Sequence, residues 1–280
     1  MKTSATIIAD SLNGVSRLTT FQVCFPRFIL AEVNTHRVLS RNYRSSRAVP
    51  VSRLIEEVST NPFIPRAFTR NKPGMQGGDP LEEEESLRAE TRWRQAAIQA
   101  AHAAASMAEL GVHKQYANRL LEPFAYVHGV ISGTEWGNFF TLRCHEDAQP
   151  EFRELAVLMR NELLVNEPKK LIGNDWHLPY ISDEEAGMYN QRMLLALSAA
   201  RCAWVSYKPF DESQRSDVEK AINTVKKLSG DPMHASPFEH QAIARPSCGS
   251  GMTGPRFYPS NFSSDWVQAR HLIENGRIVL

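Results

Sequence analysis

Asn34-Thr35-His36-Arg37-Val38-Leu39-Ser40-Arg41-Asn42-Tyr43-Arg44-Ser45-Ser46-Arg47 crowds four guanidiniums, an imidazole and several hydroxyls together without one carboxylate. Arginine presents a planar fork of donors that matches phosphate oxygens, and hydroxyls add donors without charge. A solvated basic loop or a nucleic-acid patch is the competing reading. Against it stands the apolar lead-in Phe25-Pro26-Arg27-Phe28-Ile29-Leu30-Ala31, which ties the run to a core instead of leaving it as a tail. The composition therefore favours a small-molecule phosphate site.

The rest of the chain bounds the class. With 280 residues, 42% of them hydrophobic, it can bury a sizeable core as one large domain or two small ones. A formal net charge of +1 argues against general attraction to nucleic acid or membrane. No apolar run is long enough for a membrane helix, and Met1-Lys2-Thr3-Ser4 lacks the apolar core of a signal peptide. Cys24, Cys144, Cys202 and Cys248 are dispersed, which fits a reducing, cytoplasmic setting better than a zinc site or a disulfide scaffold.

Periodicity gives a mixed α/β layout in which helices dominate. Ala5–Ala9 and Leu18–Phe25 read as strands, Val51–Val58 as a short helix, and residues 70–80, rich in Gly and Pro, as a loop. Leu81–Leu110 is rich in Glu and Ala, lacks Gly and Pro, and stops at Gly111, so it reads as a long helix. Its expected buried stripe is Trp93, Ala97, Ala100, Ala104 and Met107, with Glu82–Glu85 as a solvated first turn suited to the helix dipole. Phe152, Leu155, Ala156, Met159 and Leu163 repeat with helical period, as do Val218, Ile222 and Val225 before Gly230; Met188–Leu197 is a further apolar helix candidate. There is no internal repeat and no low-complexity linker to force a domain boundary.

The order of side chains in the opening run resembles the motif of flavin-dependent thymidylate synthases, Arg-His-Arg-x-x-Ser-x-Asn-Glu-x-Ser-x-Arg-Tyr, at His36, Arg37, Ser40, Asn42, Ser45 and Arg47. Other blocks are similar to that family's. They are Gly111-Val112 with Arg119 and Pro123, and Asn138-Phe139-Phe140-Thr141-Leu142-Arg143 followed by Ala148-Gln149-x-Glu151-Phe152. Ser198 to Tyr207 resembles its Ala-Ala-Arg-Val-Ser-Tyr strand-to-loop segment, and His234-x-Ser236-Pro237-Phe238-Glu239-His240 its His-x-Thr-Pro-Phe-Glu-His signature. In the family these last two blocks come first, so the resemblance implies a circular permutation, plausible because domain termini often lie close together. On that reading the strands Phe238–Arg245 and Leu18–Phe25 should be neighbours in one sheet. The implied fold class is α+β, an antiparallel or mixed sheet with long helices, circularly permuted. It would form a single catalytic domain over 1–280, with a family-like core at about 18–245 and a C-terminal extension at 246–280.

The resemblance further implies reductive methylation of dUMP to dTMP with FAD, NADPH and 5,10-methylenetetrahydrofolate, in a homo-oligomer, a tetramer in the family. Arg143 would be catalytic and contact the pyrimidine. Ser45, Ser46, Arg47 and Arg119, with the extra cation Arg44, would bind the nucleotide. His36, Arg37, Asn42, Asn138, Ser206, His234, Ser236 and Glu239 would hold the flavin. No metal, membrane or nucleic-acid polymer is expected. Attaching carbon at C5 of uracil needs electron density there, and a cation at the N3/O4 edge stabilises the charge that develops.

Plainer accounts compete at each point. His36 reads also as a core histidine, Arg143 as an ion-pair partner of Glu146 or Asp147, and Pro237-Phe238 as an edge turn. Ser45 has no evident base beside it, so phosphate donor suits it better than nucleophile. Thr35, Tyr43 and Ala48 depart from the motif, where the family has Arg, Glu and Tyr, and Glu32 stands where many members have Gln. These departures keep open a related C5 modification, by hydroxymethylation or with dCMP as acceptor. In a different class stands a non-catalytic nucleotide- or RNA-binding protein. Asp265 to Arg270 and Gly173 to His177 are candidates with no motif behind them.

Overall fold

The computed structural model describes residues 2–172, 174–205, 218–244 and 261–280; Ser206, Tyr207, Arg245 and Cys248 lie outside the described residues. The chain begins with β1 (Ser4–Leu12) and β2 (Arg17–Pro26), an antiparallel hairpin. Its turn is set by Asn13, whose side-chain oxygen accepts from the backbone N–H of Val15 and Ser16 at 3.0 and 2.9 Å, and by Gly14 at φ 90°. There follow α1 (Leu30–Val33), β3 (Ser40–Tyr43), α2 (Val51–Thr60), α3 (Glu83–Glu109), α4 (Lys114–Ala117), β4 (Tyr126–Gly133), α5 (Gly137–Arg143) and α6 (Pro150–Val165). The second half carries β5 (Lys169–Lys170), β6 (Trp176–His177), α7 (Asp183–Met188), α8 (Gln191–Trp204), α9 (Val218–Leu228), β7 (Ala242–Ala244), β8 (Trp266–Gln268) and α10 (Ala269–Glu274). Among the described residues no helix is long and apolar enough to cross a membrane.

Among the described residues there are two sheets, a five-stranded one ordered β3-β4-β2-β1-β5 and a three-stranded one ordered β6-β7-β8. In the larger sheet β4 runs antiparallel to both β2 and β3, placing Tyr43 opposite Gly129. A Cβ at Gly129 would stand 2.1 Å from the Tyr43 ring, so the crossing needs glycine. One face of this sheet is covered by α5 and α6, whose Phe139, Phe152, Leu155, Ala156 and Met159 pack with Phe21, Phe25 and Ile131. Each large apolar side chain buried there contributes about 1.5–3 kcal/mol. A second cluster joins α2 and α3 through Leu54, Val58, Ala97, Ala101 and Ala104. Of the stripe expected on α3, Ala97 and Ala104 are fully buried, while Trp93, Ala100 and Met107 are half-buried. The small faces of Ala97, Ala101 and Ala104 let α2 approach closely.

Two expectations are corrected. Ser198–Trp204, read from the resemblance as strand-to-loop, is the second half of α8. Asn190 caps that helix by accepting from Met193 N at 3.0 Å, and its Leu- and Ala-rich run has high helix propensity; every residue from Leu194 to Trp204 is buried. The strand expected at Phe238–Arg245 is a 3-10 turn at Ser236–Glu239 followed by the short β7, which pairs with β6 and β8 and not with β2. Both edges of β2 are occupied, one by β4 and one by β1, because the local hairpin takes the edge that the permuted pairing requires. The two segments meet by packing instead, through Leu18, Ala242 and Trp266 in one buried cluster.

Candidate functional site

The basic run is not a solvated loop. Thr35 Oγ1 donates to Glu32 O at 2.6 Å, and Arg41 Nη1 donates to the carbonyls of Asn34 and His36 at 2.8 and 3.0 Å, which ties the bend before β3 together. Along β3 and beyond it the alternation of a strand continues, but it is the polar residues that point inward. Ser40, Asn42, Arg44 and Ser46 are buried, whereas Arg41, Tyr43 and Ser45 are half-buried and Arg47 is exposed.

His36 sits at the mouth of this run, buried edge-on against the rings of Phe139 and Phe152 at 4.9 and 5.9 Å. Arg143, the last residue of α5, donates from Nε to His36 Nε2 at 2.9 Å and lies over the Phe152 ring at 4.5 Å. Because Nε2 accepts, the ring proton of His36 belongs on Nδ1. Burial, and then the charges of Arg143 and Arg41, lower the His36 pKa and hold the imidazole neutral. The terminal nitrogens of Arg143 have no partner among the described residues; its plainer partners do not engage it, and Asp147 faces His145 instead. The result is a cation braced by His36 and the Phe152 ring with its fork uncommitted.

Around Ser45, Ser46 and Arg47 the chain makes a single 3-10 turn. Asn118, fully buried, donates to the carbonyls of Ser46 and Val49 at 2.7 and 2.9 Å and so clamps this turn to the helical segment that carries Arg119. Ser46 Oγ and Asn118 Oδ1 are buried without a partner among the described residues, which marks a polar site open to a further donor or to water. Arg119 is half-exposed and pairs with Glu122 at 2.8 Å, as does Arg27 at 3.0 Å. Arg44 is used otherwise than expected. Its guanidinium is buried and bidentate on Glu57 at 3.0 and 2.6 Å, because the inward register of β3 aims it at α2. Burial works against the Glu57 carboxylate, but its hydrogen bonds and charge pairing with Arg44 and Arg53 prevail and keep its pKa below the usual range. Arg44 is thus a structural cation, with no fork left for a phosphate.

Asn42 extends the site across the fold. Its amide donates to Cys202 O at 2.7 Å, at the end of α8, and its side-chain oxygen accepts from Ser236 Oγ at 3.3 Å. Two of the expected flavin residues, far apart in the chain, are therefore in contact. Glu239 pairs with Arg270, while His234, Arg37 and Asn138 are exposed. Arg270 and Gln268, from a segment without a motif, anchor this turn, since Gln268 Nε2 donates to Glu239 O at 2.7 Å and Ser40 Oγ at 2.8 Å. Asn118 went unsingled in the sequence; only its place beside Arg119 could have drawn notice.

A match to the thymidylate synthase complementing protein family covers residues 18–169, more than half of the chain. The chain belongs to that family. Membership makes it a thymidylate synthase-like methyltransferase, and His36, Arg143 and the Ser45–Arg47 turn all fall within the matched residues. Among solved structures it is similar to a UMP/dUMP methylase, PolB, from Streptomyces cacaoi bound with 5-Br UMP, at 16% identity and a TM-score of 0.50, over 58% of this chain and 88% of that one. That likeness concerns the fold. A second structure of PolB, bound with 5-Br dUMP, aligns at 21% identity and a TM-score of 0.42 over 52% of this chain and 66% of that one. No curated protein sequence matches the chain.

Proposed function

We propose that this family member methylates C5 of dUMP reductively, giving dTMP, with 5,10-methylenetetrahydrofolate as carbon donor and NADPH as the source of electrons. The observation that carries the reading is Arg143, held by His36 and the Phe152 ring with its outer fork uncommitted. Placed at the N3/O4 edge of the pyrimidine, that fork favours the N3-deprotonated, enolate-like form whose electron density at C5 attacks the incoming carbon, and stabilises the enolate again as C5 loses its proton. His36 keeps the fork in orientation as a neutral acceptor. The Ser45–Arg47 turn and Arg119 bind the nucleotide phosphate, with Ser46 Oγ still seeking a partner.

The donor set also suits FAD, through Arg37, Asn42, Asn138, His234, Ser236 and Glu239, of which Asn42 and Ser236 already meet. When bound, FAD would pass reducing equivalents from NADPH to the new carbon. We infer a homotetramer with a cytoplasmic setting, the latter supported by the free thiols of Cys24, Cys144 and Cys202.

One observation favours a second reading of the same site. Tyr43 stands where an acid is usual, and its ring turns into the core edge-on to Phe25 at 5.7 Å, leaving the pyrimidine side without that carboxylate. A changed acceptor, dCMP, or a hydroxymethyl product would follow. The test is one assay with dUMP and dCMP in parallel, each with methylenetetrahydrofolate, FAD and NADPH, and the product identified by mass spectrometry. A 5-methylated dUMP is the expected result. Methylated or hydroxymethylated dCMP would establish the second reading, and no nucleotide product with FAD bound would overturn both.

A further inference from the structure

Ser11, His177, Thr20, Ser132 and His240 form an unbroken line of hydrogen bonds through the interior. Ser11 Oγ meets His177 Nδ1 at 2.9 Å, His177 Nε2 meets Thr20 Oγ1 at 2.7 Å, Thr20 Oγ1 meets Ser132 Oγ at 2.7 Å, and Ser132 Oγ meets His240 Nδ1 at 2.8 Å. Four of the five are fully shielded and Ser11 is 5% exposed. The line starts on β1, crosses β6, β2 and β4, and ends on the residue that follows the Ser236–Glu239 turn. At that end His240 Nε2 is buried with no partner among the described residues.

Counting protons restricts the line sharply. Each hydroxyl carries one proton and each neutral imidazole one, so making all the bonds at once with no Thr20 or Ser132 proton left idle leaves two arrangements. In the first, every donor points from Ser11 toward His240, both rings carry their proton on Nε2, and His240 Nε2 is a spare donor. In the second, every donor points the other way, both rings carry it on Nδ1, and His240 Nε2 is a spare acceptor. Mixed arrangements either break a bond or leave the Thr20 or Ser132 proton without an acceptor inside a dry interior, where an unpaired polar group is costly. Desolvation pushes both imidazole pKa values down to about 3, so both rings are neutral at pH 7; Asp10, beside His177, is itself held by Arg17.

We propose that this line is a proton-ordering chain that positions the Ser236–Glu239 turn against Asn42, with His240 as a positioning residue for the flavin and nucleotide site; it rests on the reading of that site given above. The two histidines must share one tautomer, and the end of the chain next to Glu239 reports which.

The test uses the full chain labelled with 15N-histidine, in which imidazole nitrogen shifts distinguish the two tautomers. His177 and His240 are expected in the same tautomer, with Thr20→Val, which keeps shape but removes the hydroxyl, destroying that correlation. Opposite tautomers in the wild-type protein, or ring signals unchanged by Thr20→Val, would overturn the chain. For positioning, His240→Leu should raise the FAD dissociation constant about tenfold, as for one buried hydrogen bond lost. His240→Asn, which keeps a polar atom near the place of Nδ1, should restore most of it. An unchanged FAD affinity in His240→Leu would refute the positioning role. Should His240→Leu fail to fold, Ser132→Ala read by the same titration replaces it. Wild-type protein that binds no FAD would refute the flavin reading instead, while the tautomer comparison would still decide the chain.

Discussion

Arg143 and His36 are 107 positions apart and joined by one hydrogen bond of 2.9 Å, which sets what each can be asked to do. Arg143→Lys keeps the charge but loses the planar fork, so FAD binding should survive while nucleotide turnover falls about a hundredfold to a thousandfold. Stopped-flow reduction of the flavin beside steady-state turnover separates the two, and unchanged turnover would remove Arg143 from the chemistry. The same bond has a pH signature. His36 accepts only while neutral, and its lowered pKa places the loss of that acceptor below the ordinary histidine value of about 6.5. The acid limb of the kcat profile should therefore lie below that value, and in His36→Gln the limb should disappear. Ser45→Ala is expected to weaken nucleotide binding at nearly constant kcat, because a phosphate donor serves ground and transition states alike; a loss of kcat with binding intact would contradict that role.

At the scale of elements, Arg44 joins the end of β3 to α2 through Glu57, and removing Arg44 leaves that carboxylate only the more exposed Arg53 in a largely dry contact. Arg44→Met should cost about 3–5 kcal/mol of stability in urea titration, with or without nucleotide. The double variant Arg44→Met with Glu57→Leu should recover much of that loss, and a loss confined to nucleotide affinity would show instead that Arg44 serves the substrate. The residue type alone could not separate Arg44 from Arg47. What separates them is strand register, and that register was hard to read because Ser40, Asn42, Arg44 and Ser46 put polar groups on the buried face, the reverse of the usual alternation. Where period and burial agreed, as in α3 and α6, the elements were legible. α8 was legible in its first half, as the Met188–Leu197 candidate, but its second half departs from the strand-to-loop expectation because the capped, Ala-rich helix runs on to Trp204; β7 departs because its pairing depends on β6 and β8, which no local signal announces. The pairing of Arg143 with His36 was likewise invisible, although each residue was singled out by its own motif.

For the whole molecule, the consequential feature is that the two sheets are joined by neutral imidazoles, His177 on β6 and His240 just before β7, both bonded to hydroxyls of the larger sheet. Desolvation takes both pKa values from the ordinary 6.5 down to about 3. Between those limits the unfolded chain binds a proton at each site and the folded chain does not, so stability rises with pH through the window and is lost as pH falls. Above about pH 6.5 the contribution is complete; below it each histidine should remove about 1 kcal/mol per pH unit until the folded state itself takes up protons near pH 3. Urea unfolding at pH 7 and pH 5 should therefore differ by several kcal/mol, the protein at pH 5 being the weaker. In the double variant His177→Gln with His240→Gln most of that difference should vanish, because neither replacement titrates. A wild-type protein equally stable at both values would mean that the rings are reached by water and that the joint between the sheets is wet.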